Sequence, residues 1–111
     1  MTAHIANLLL DSGAILLRPD EPFTFVTGIK SPIYCDNRLP MSDVAKRKEI
    51  IDAYLLALTD IPFDVVAGTA IGAIPWGAWV AHKLDKPFVY VRNKAKEHGT
   101  GAHIEGSFVP G

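Results

Sequence analysis

Ten consecutive residues, Arg92-Asn93-Lys94-Ala95-Lys96-Glu97-His98-Gly99-Thr100-Gly101, carry three permanent cations, a histidine and nothing apolar larger than alanine. Such a segment cannot join a core, but it can handle anions. Arg92, Lys94, Lys96 and a protonated His98 offer charge-assisted donors suited to phosphate oxygens. Gly99 and Gly101 give the backbone the freedom to close over a ligand and reopen. A solvated charged loop is the plain alternative for any run of charge. Position favours function: the run follows the apolar segment Phe88-Val89-Tyr90-Val91, and so leaves the carboxyl end of an expected strand, the edge at which open α/β sheets hold ligands.

Two further segments could take part. Ala67-Gly68-Thr69-Ala70-Ile71-Gly72 is a small-residue turn between an expected strand and helix, whose backbone N–H groups could receive an anion. It matches neither the dinucleotide fingerprint nor the Walker pattern, and tight packing of turn against helix accounts for small residues equally well. Thr27-Gly28-Ile29-Lys30-Ser31-Pro32-Ile33-Tyr34-Cys35-Asp36 places Lys30 and Ser31 where an anion could bind, and Tyr34-Cys35 where a ring and backbone groups could meet a flat ligand. A plain hairpin is the competing reading. Cys35 has no sequence cue for activation and reads as an inert thiol. His4, His82 and His103 lack metal-ligand spacing.

Elements must position these segments. Thr2 is a candidate cap for a short helix with Ile5, Leu8 and Leu9 on one face and Gly13 at its end. Residues 15–17 and 23–26 read as short strands flanking the turn Arg18-Pro19-Asp20-Glu21-Pro22, with a second turn at Thr27-Gly28. Ser42 is the expected N-cap of a longer helix whose apolar positions are Val44, Ile51, Tyr54, Leu55 and Leu58. Asp64-Val65-Val66-Ala67 reads as a strand buried on both faces. Pro75 suits the first turn of the next helix, with Trp76, Trp79 and Val80 as its buried stripe, and Lys86-Pro87 closes it. Strand, helix, strand over residues 64–91 implies a crossover in a parallel sheet, hence an α/β class.

Composition sets bounds. The chain has 111 residues, 49% of them hydrophobic, and a formal net charge of −1. That is one small domain able to form a core, although small domains bury a lesser share of their surface. Balanced charge argues against a polyanion or membrane-surface partner, so any anion site is local. The single cysteine cannot form an internal disulfide, and the first residues lack the build of a secretory signal, which together suggest a cytoplasmic protein. The uncharged run over residues 65–81 is broken by Gly68, Gly72, Pro75 and Gly77 and reads as buried core rather than a membrane span.

Taken together, three stretches resemble orotate phosphoribosyltransferase, a type I phosphoribosyltransferase family: Phe23-Thr24 to Asp36-Asn37-Arg38 around Lys30-Ser31-Pro32; Ala67-Gly68-Thr69-Ala70; and Tyr90-Val91-Arg92 to Lys96-Glu97-His98-Gly99. Their order and spacing are far more specific than any one of them, and the resemblance runs from about Leu8 to Gly111, as the N-terminal half of the family. It implies one phosphoribosyltransferase domain over residues 1–111, with an N-terminal hood of helix and short strands (1–38), a helix-strand-helix-strand core (39–91) and a mobile basic loop (92–106).

The implied reaction joins orotate and phosphoribosyl pyrophosphate into orotidine monophosphate and pyrophosphate in pyrimidine synthesis. Mg²⁺ would be carried by the pyrophosphate substrate, with no metal ligand assigned on the chain. By resemblance Arg92, Lys96 and His98 contact phosphoribosyl pyrophosphate, with Lys96 and His98 catalytic. Tyr34 and Cys35 lie against orotate, and Thr69, Ala70 and Lys30 are weaker candidates on the pyrophosphate side. The family's loop reaches a neighbouring subunit's site, so a homodimer is implied, without membrane or nucleic acid. Some members carry lysines where this chain has Val26, Gly72 and Asn93, and those contacts do not transfer. The family's acidic pair and glycine- and threonine-rich phosphate loop are not found here, so the chain is expected to be a truncated product or fragment, inactive alone. The alternatives are a nucleotide- or RNA-binding regulator on the same fold and an inert dimerising fragment.

Overall fold

The computed structural model describes residues 2–94 and 103–110. The chain divides into two compact units, Met1–Ala53 and Tyr54–Gly111, each described by itself.

In the first unit, α1 (Thr2–Asp11) stops because Gly13 takes a left-handed φ of +79°. The N–H of Gly13 then reaches the carbonyl of Leu10 at 3.1 Å, and that of Ala14 reaches Leu9 at 3.0 Å. This pair of bonds satisfies carbonyls that a helix end otherwise leaves open. Leu8 is buried with Ile5 and Leu9 half-buried beside it, as the helical spacing requires. The chain continues as β1 (Ile15–Leu17), β2 (Phe23–Thr24), β3 (Lys30–Ser31) and β4 (Ile33–Cys35). β2 is two residues shorter than the expected 23–26, because Phe25 and Val26 belong to the turn into β3, where Gly28 has φ +89°.

Strands adjacent in sequence do not all pair. β1 pairs antiparallel with β4, in the register Leu16↔Tyr34, and β2 pairs with β3, in the register Thr24↔Lys30. Residues 15–35 are therefore two nested hairpins.

A 3₁₀ turn (Leu39–Ser42) leads into α2 (Val44–Ala57). Ser42 does not cap this helix. Its hydroxyl turns back to the Leu39 carbonyl at 3.4 Å, and the Asp43 carboxylate accepts from the Lys46 N–H at 3.1 Å. That is the N-cap to N3 bond, one residue later than expected. The expected apolar stripe holds at Ile51, which is buried, and at Leu55 and Leu58, which are half-buried, but Ile50 is buried as well and Val44 and Tyr54 are about half exposed.

In the second unit β5 runs over Val66–Thr69, two residues beyond the expected 64–67, and it is not buried on both faces. Gly68 is covered, but Ala67 and Thr69 are exposed, because α3 (Ala73–Leu84) lies against one face of the strand only. On that face helix and strand meet through glycines. A Cβ on Gly68 would lie 2.6 Å from the Ala73 carbonyl oxygen, and one on Gly77 would lie 2.8 Å from the Phe88 ring. Trp76 and Val80 are buried and Trp79 half-buried, with the two indoles edge to face at 5.3 Å. Asp85, with φ +53°, ends the helix and turns the chain into β6 (Phe88–Val91).

β5 and β6 are parallel, in the register Val66↔Phe88 to Thr69↔Val91. The third strand, β7 (Ile104–Glu105), lies antiparallel to β6 inside the segment read as loop. Two residues with a single apolar side chain give no periodicity to detect, and only their pairing with β6 makes them a strand. Among the described residues no helix is long and apolar enough to cross a membrane.

Candidate functional site

The parallel pair determines where the site can be. Both β5 and β6 end at the same edge, where Thr69 pairs with Val91, and the chain leaves β5 through Ala70-Ile71-Gly72 into the amino end of α3. A cavity of about 340 Å³ opens there, lined by Ala70, Ile71 and Ile74 on one side and by Tyr90, Arg92, Asn93 and Lys94 on the other. Two cations and a helix amino terminus thus border one space, an arrangement that favours anionic ligands.

The turn is less open than its composition suggests. The Ala70 N–H is spent on the Val91 carbonyl at 2.7 Å, extending the β5–β6 ladder by one residue. Ala70 therefore lines the cavity without donating to it, and an anion must use donors nearer the helix. Thr69 ends β5 exposed and is not among the residues that line the cavity. The Ala70–Ile71 peptide is cis.

Arg92 stands at the base of a hairpin. Its N–H donates to the His103 carbonyl at 2.6 Å, directly after the β6–β7 pairing, so the segment between residues 92 and 103 leaves and returns at one point. One guanidinium nitrogen lies 3.6 Å from the Glu105 carboxylate. Lys96 and His98, the expected catalytic pair, lie outside the described residues, as does the rest of 95–102.

The remaining candidates belong to the first unit. Lys30 is exposed on β3. Ser31 is committed locally: its hydroxyl donates to the Ile33 carbonyl at 2.9 Å and accepts from the Ile33 N–H at 3.2 Å, bracing the bend at Pro32. Of the pair, Lys30 is the one whose side chain points to solvent without a local hydrogen bond among the described residues. The Tyr34 ring packs at 5.6 Å and 40° against Phe23, and the Arg18 guanidinium lies 4.5 Å over the opposite partner, Phe23. Tyr34 is thus an exposed ring braced by the tilted Phe23 ring. Cys35 is an exposed free thiol whose sulfur contacts the Asn37 side-chain oxygen at 3.1 Å.

Next to it Asp36 accepts from the Arg38 side chain at 2.9 Å and from the Arg38 N–H at 3.0 Å. These two bonds, the side-chain one foremost, hold the Asp36 carboxyl below its ordinary value, and the side-chain bond together with the Asp36 charge pushes the Arg38 guanidinium above its own.

Sequence reasoning found Arg92 and Ala70 but missed Tyr90, Ile71, Ile74 and Glu105. Strand alternation carries the signal for Tyr90, which lies two residues before Arg92 and so projects to the same face. Nothing local marks Glu105.

A helix packed on one face of a mixed sheet, with a ligand edge after the parallel strands, fits the class of a partial type I phosphoribosyltransferase fold. The comparisons agree with that class. The chain is 30% identical to a Leishmania donovani UMP synthase structure, with a TM-score of 0.78 over 97% of this chain and 22% of that one. It is 33% identical to orotate phosphoribosyltransferase from Aeropyrum pernix, with a TM-score of 0.75 over 91% of this chain and 56% of that one. Among curated proteins, orotate phosphoribosyltransferase of Enterococcus faecalis is 51% identical over 109 residues, which is 96% of this chain and 52% of that protein. No protein-family model matches the chain. Over essentially its whole length the chain is homologous to orotate phosphoribosyltransferases, and it spans about half the length of the curated relatives it matches.

Proposed function

We propose that this chain forms the pyrophosphate- and orotate-contacting part of an orotate phosphoribosyltransferase, which transfers phosphoribosyl from phosphoribosyl pyrophosphate to orotate in pyrimidine synthesis. The observation that carries the reading is the cavity at the carboxyl edge of β5 and β6, bordered by Arg92, Lys94 and the amino end of α3. In the reaction the bond from C1′ to the pyrophosphate oxygen breaks and a bond from C1′ to an orotate nitrogen forms. Positive charge grows on the ribose and negative charge on the leaving group. Cations fixed at the leaving group therefore lower the barrier without a covalent nucleophile.

In this reading Arg92 holds the pyrophosphate, and Lys96 and His98, a few residues further along the chain, act on it. Ala70 and Thr69 shape the turn beside it, and Lys30 contributes a further cation. Tyr34, braced by Phe23, offers its ring to the flat orotate, with Cys35 beside it. Among the described residues no three His, Cys, Asp or Glu side chains converge to hold a metal ion. Magnesium enters the proposal on the diphosphate substrate, and no step is assigned to it. A homodimer sharing the basic segment between subunits, in the cytoplasm, completes the proposal.

Calorimetry of the 111-residue chain with sodium pyrophosphate and magnesium chloride tests the site. Binding that weakens on Arg92→Ala supports the reading, and no measurable binding by the unaltered chain overturns it. Ultraviolet absorbance of orotate, with phosphoribosyl pyrophosphate and magnesium present, reports separately whether the chain turns over substrate. Turnover would contradict the expectation from sequence that it is inactive alone.

A further inference from the structure

Glu105 is an acidic side chain beside a cavity suited to anions, a placement that by charge alone would weaken binding. Its carboxylate lies 3.6 Å from an Arg92 terminal nitrogen, and both side chains are largely withdrawn from solvent, 27% and 37% exposed. The Arg92 Nε is enclosed and meets no acceptor among the described residues. Backbone pairing fixes the two residues relative to each other: Glu105 sits opposite Tyr90, and the Arg92 N–H is tied to His103. Gly106 follows with φ +109°, its Cα so close to Val89 that any Cβ would lie 2.8 Å from a Val89 methyl. The chain can pass this close to β6 only with glycine at position 106.

We propose that Glu105 is a positioning residue for Arg92, holding its guanidinium toward the cavity so that an incoming pyrophosphate meets an ordered fork rather than a mobile side chain. This rests on the reading of Arg92 as a pyrophosphate ligand. A flexible arginine loses rotamer freedom when it binds, and a carboxylate that restricts it beforehand removes part of that cost. At 3.6 Å the contact is longer than a hydrogen bond although the Glu105 oxygen is enclosed, so it restrains the guanidinium by charge without consuming its donors.

The sign of one substitution separates positioning from charge. Glu105→Gln keeps the shape and removes the negative charge. Simple electrostatics has it bind magnesium pyrophosphate more tightly, whereas positioning has it bind about two- to fivefold more weakly, the range of a partly exposed ion pair. The test is calorimetry with magnesium pyrophosphate on the unaltered chain, Glu105→Gln, Arg92→Ala and the double variant, with circular dichroism to confirm that each is folded.

The expected result is weaker binding by Glu105→Gln and by Arg92→Ala, and no additional loss in the double variant, since Glu105 acts through Arg92. Unchanged or tighter binding by Glu105→Gln while Arg92→Ala binds weakly overturns the positioning role alone. Additive losses overturn it too, by showing that Glu105 acts on structure. If Arg92→Ala binds as tightly as the unaltered chain, or nothing binds, both this role and the pyrophosphate site fail.

Discussion

Replacing Gly68 by alanine tests the close approach of α3 to β5 that forms one wall of the cavity. The new Cβ would lie 2.6 Å from the Ala73 carbonyl oxygen, 3.1 Å from its carbon and 3.3 Å from the Phe88 ring. Ordinary contact begins at 3.4 Å, so the helix's first turn must retreat by about 0.8 Å. That atom is backbone, and no side-chain rotation can relieve the clash. Overpacking of this kind costs about 1–3 kcal/mol. Against it stands a gain of about 0.4–1 kcal/mol from the lower entropy of the unfolded chain, because Gly68 does not use a left-handed φ.

The balance is a loss of roughly 1–2 kcal/mol, which lowers the midpoint of thermal unfolding by roughly 5–15 °C in a domain of this size. Gly72→Ala is the internal control. It sits four residues on, in right-handed helical conformation, with nothing within 4 Å of the added carbon, and should change stability by less than about 0.5 kcal/mol. Circular dichroism through thermal and urea unfolding measures both. Equal stability of the two variants would refute the reasoning, since only the Ala73 contact distinguishes them in magnitude. Moving that wall should also weaken pyrophosphate binding by Gly68→Ala.

Other outcomes follow from single contacts. Gly106→Ala combines a left-handed φ with the Val89 contact and should cost about 2–4 kcal/mol in urea unfolding. Asp43→Ala removes the α2 cap and should cost about 1 kcal/mol, while Ser42→Ala should cost measurably less. Trp76→Ala, at 6% exposure in the second unit's core, should cost about 3–5 kcal/mol.

The Asp36 carboxyl should titrate below the ordinary aspartate range by NMR and return toward it in Arg38→Ala. Because its folded value is the lower one, its contribution to stability is present at neutral pH and lost as pH falls through that depressed value. A titration unchanged by Arg38→Ala would contradict this.

Residue patterns alone carried much of the architecture. Phe88-Val89-Tyr90-Val91 is apolar and β-branched enough to be a strand in any context, and the stripe of Trp76, Trp79 and Val80 repeats at helical spacing. Both follow from local periodicity. Arg92 and Ala70 could be placed at the site because topology sends the chain out of parallel strands at one edge. The Ser42 cap failed for a local reason: Ser42 and Asp43 are both good caps, and the choice depended on the 3₁₀ turn that draws the Ser42 hydroxyl back to Leu39.

Three things needed the tertiary structure. β7 exists only because β6 supplies its hydrogen-bonding partner, since two residues cannot nucleate a strand alone. The open face of β5 depends on which face α3 covers, a property of packing and not of the apolar run. The nearness of Glu105 to Arg92 comes from antiparallel register across thirteen positions of sequence, and no local pattern encodes a register. The basic run after Val91 was therefore legible as an anion-binding segment from charge and glycine alone. That its first arginine lies beside an acid on the strand that pairs with β6 was decided by the fold.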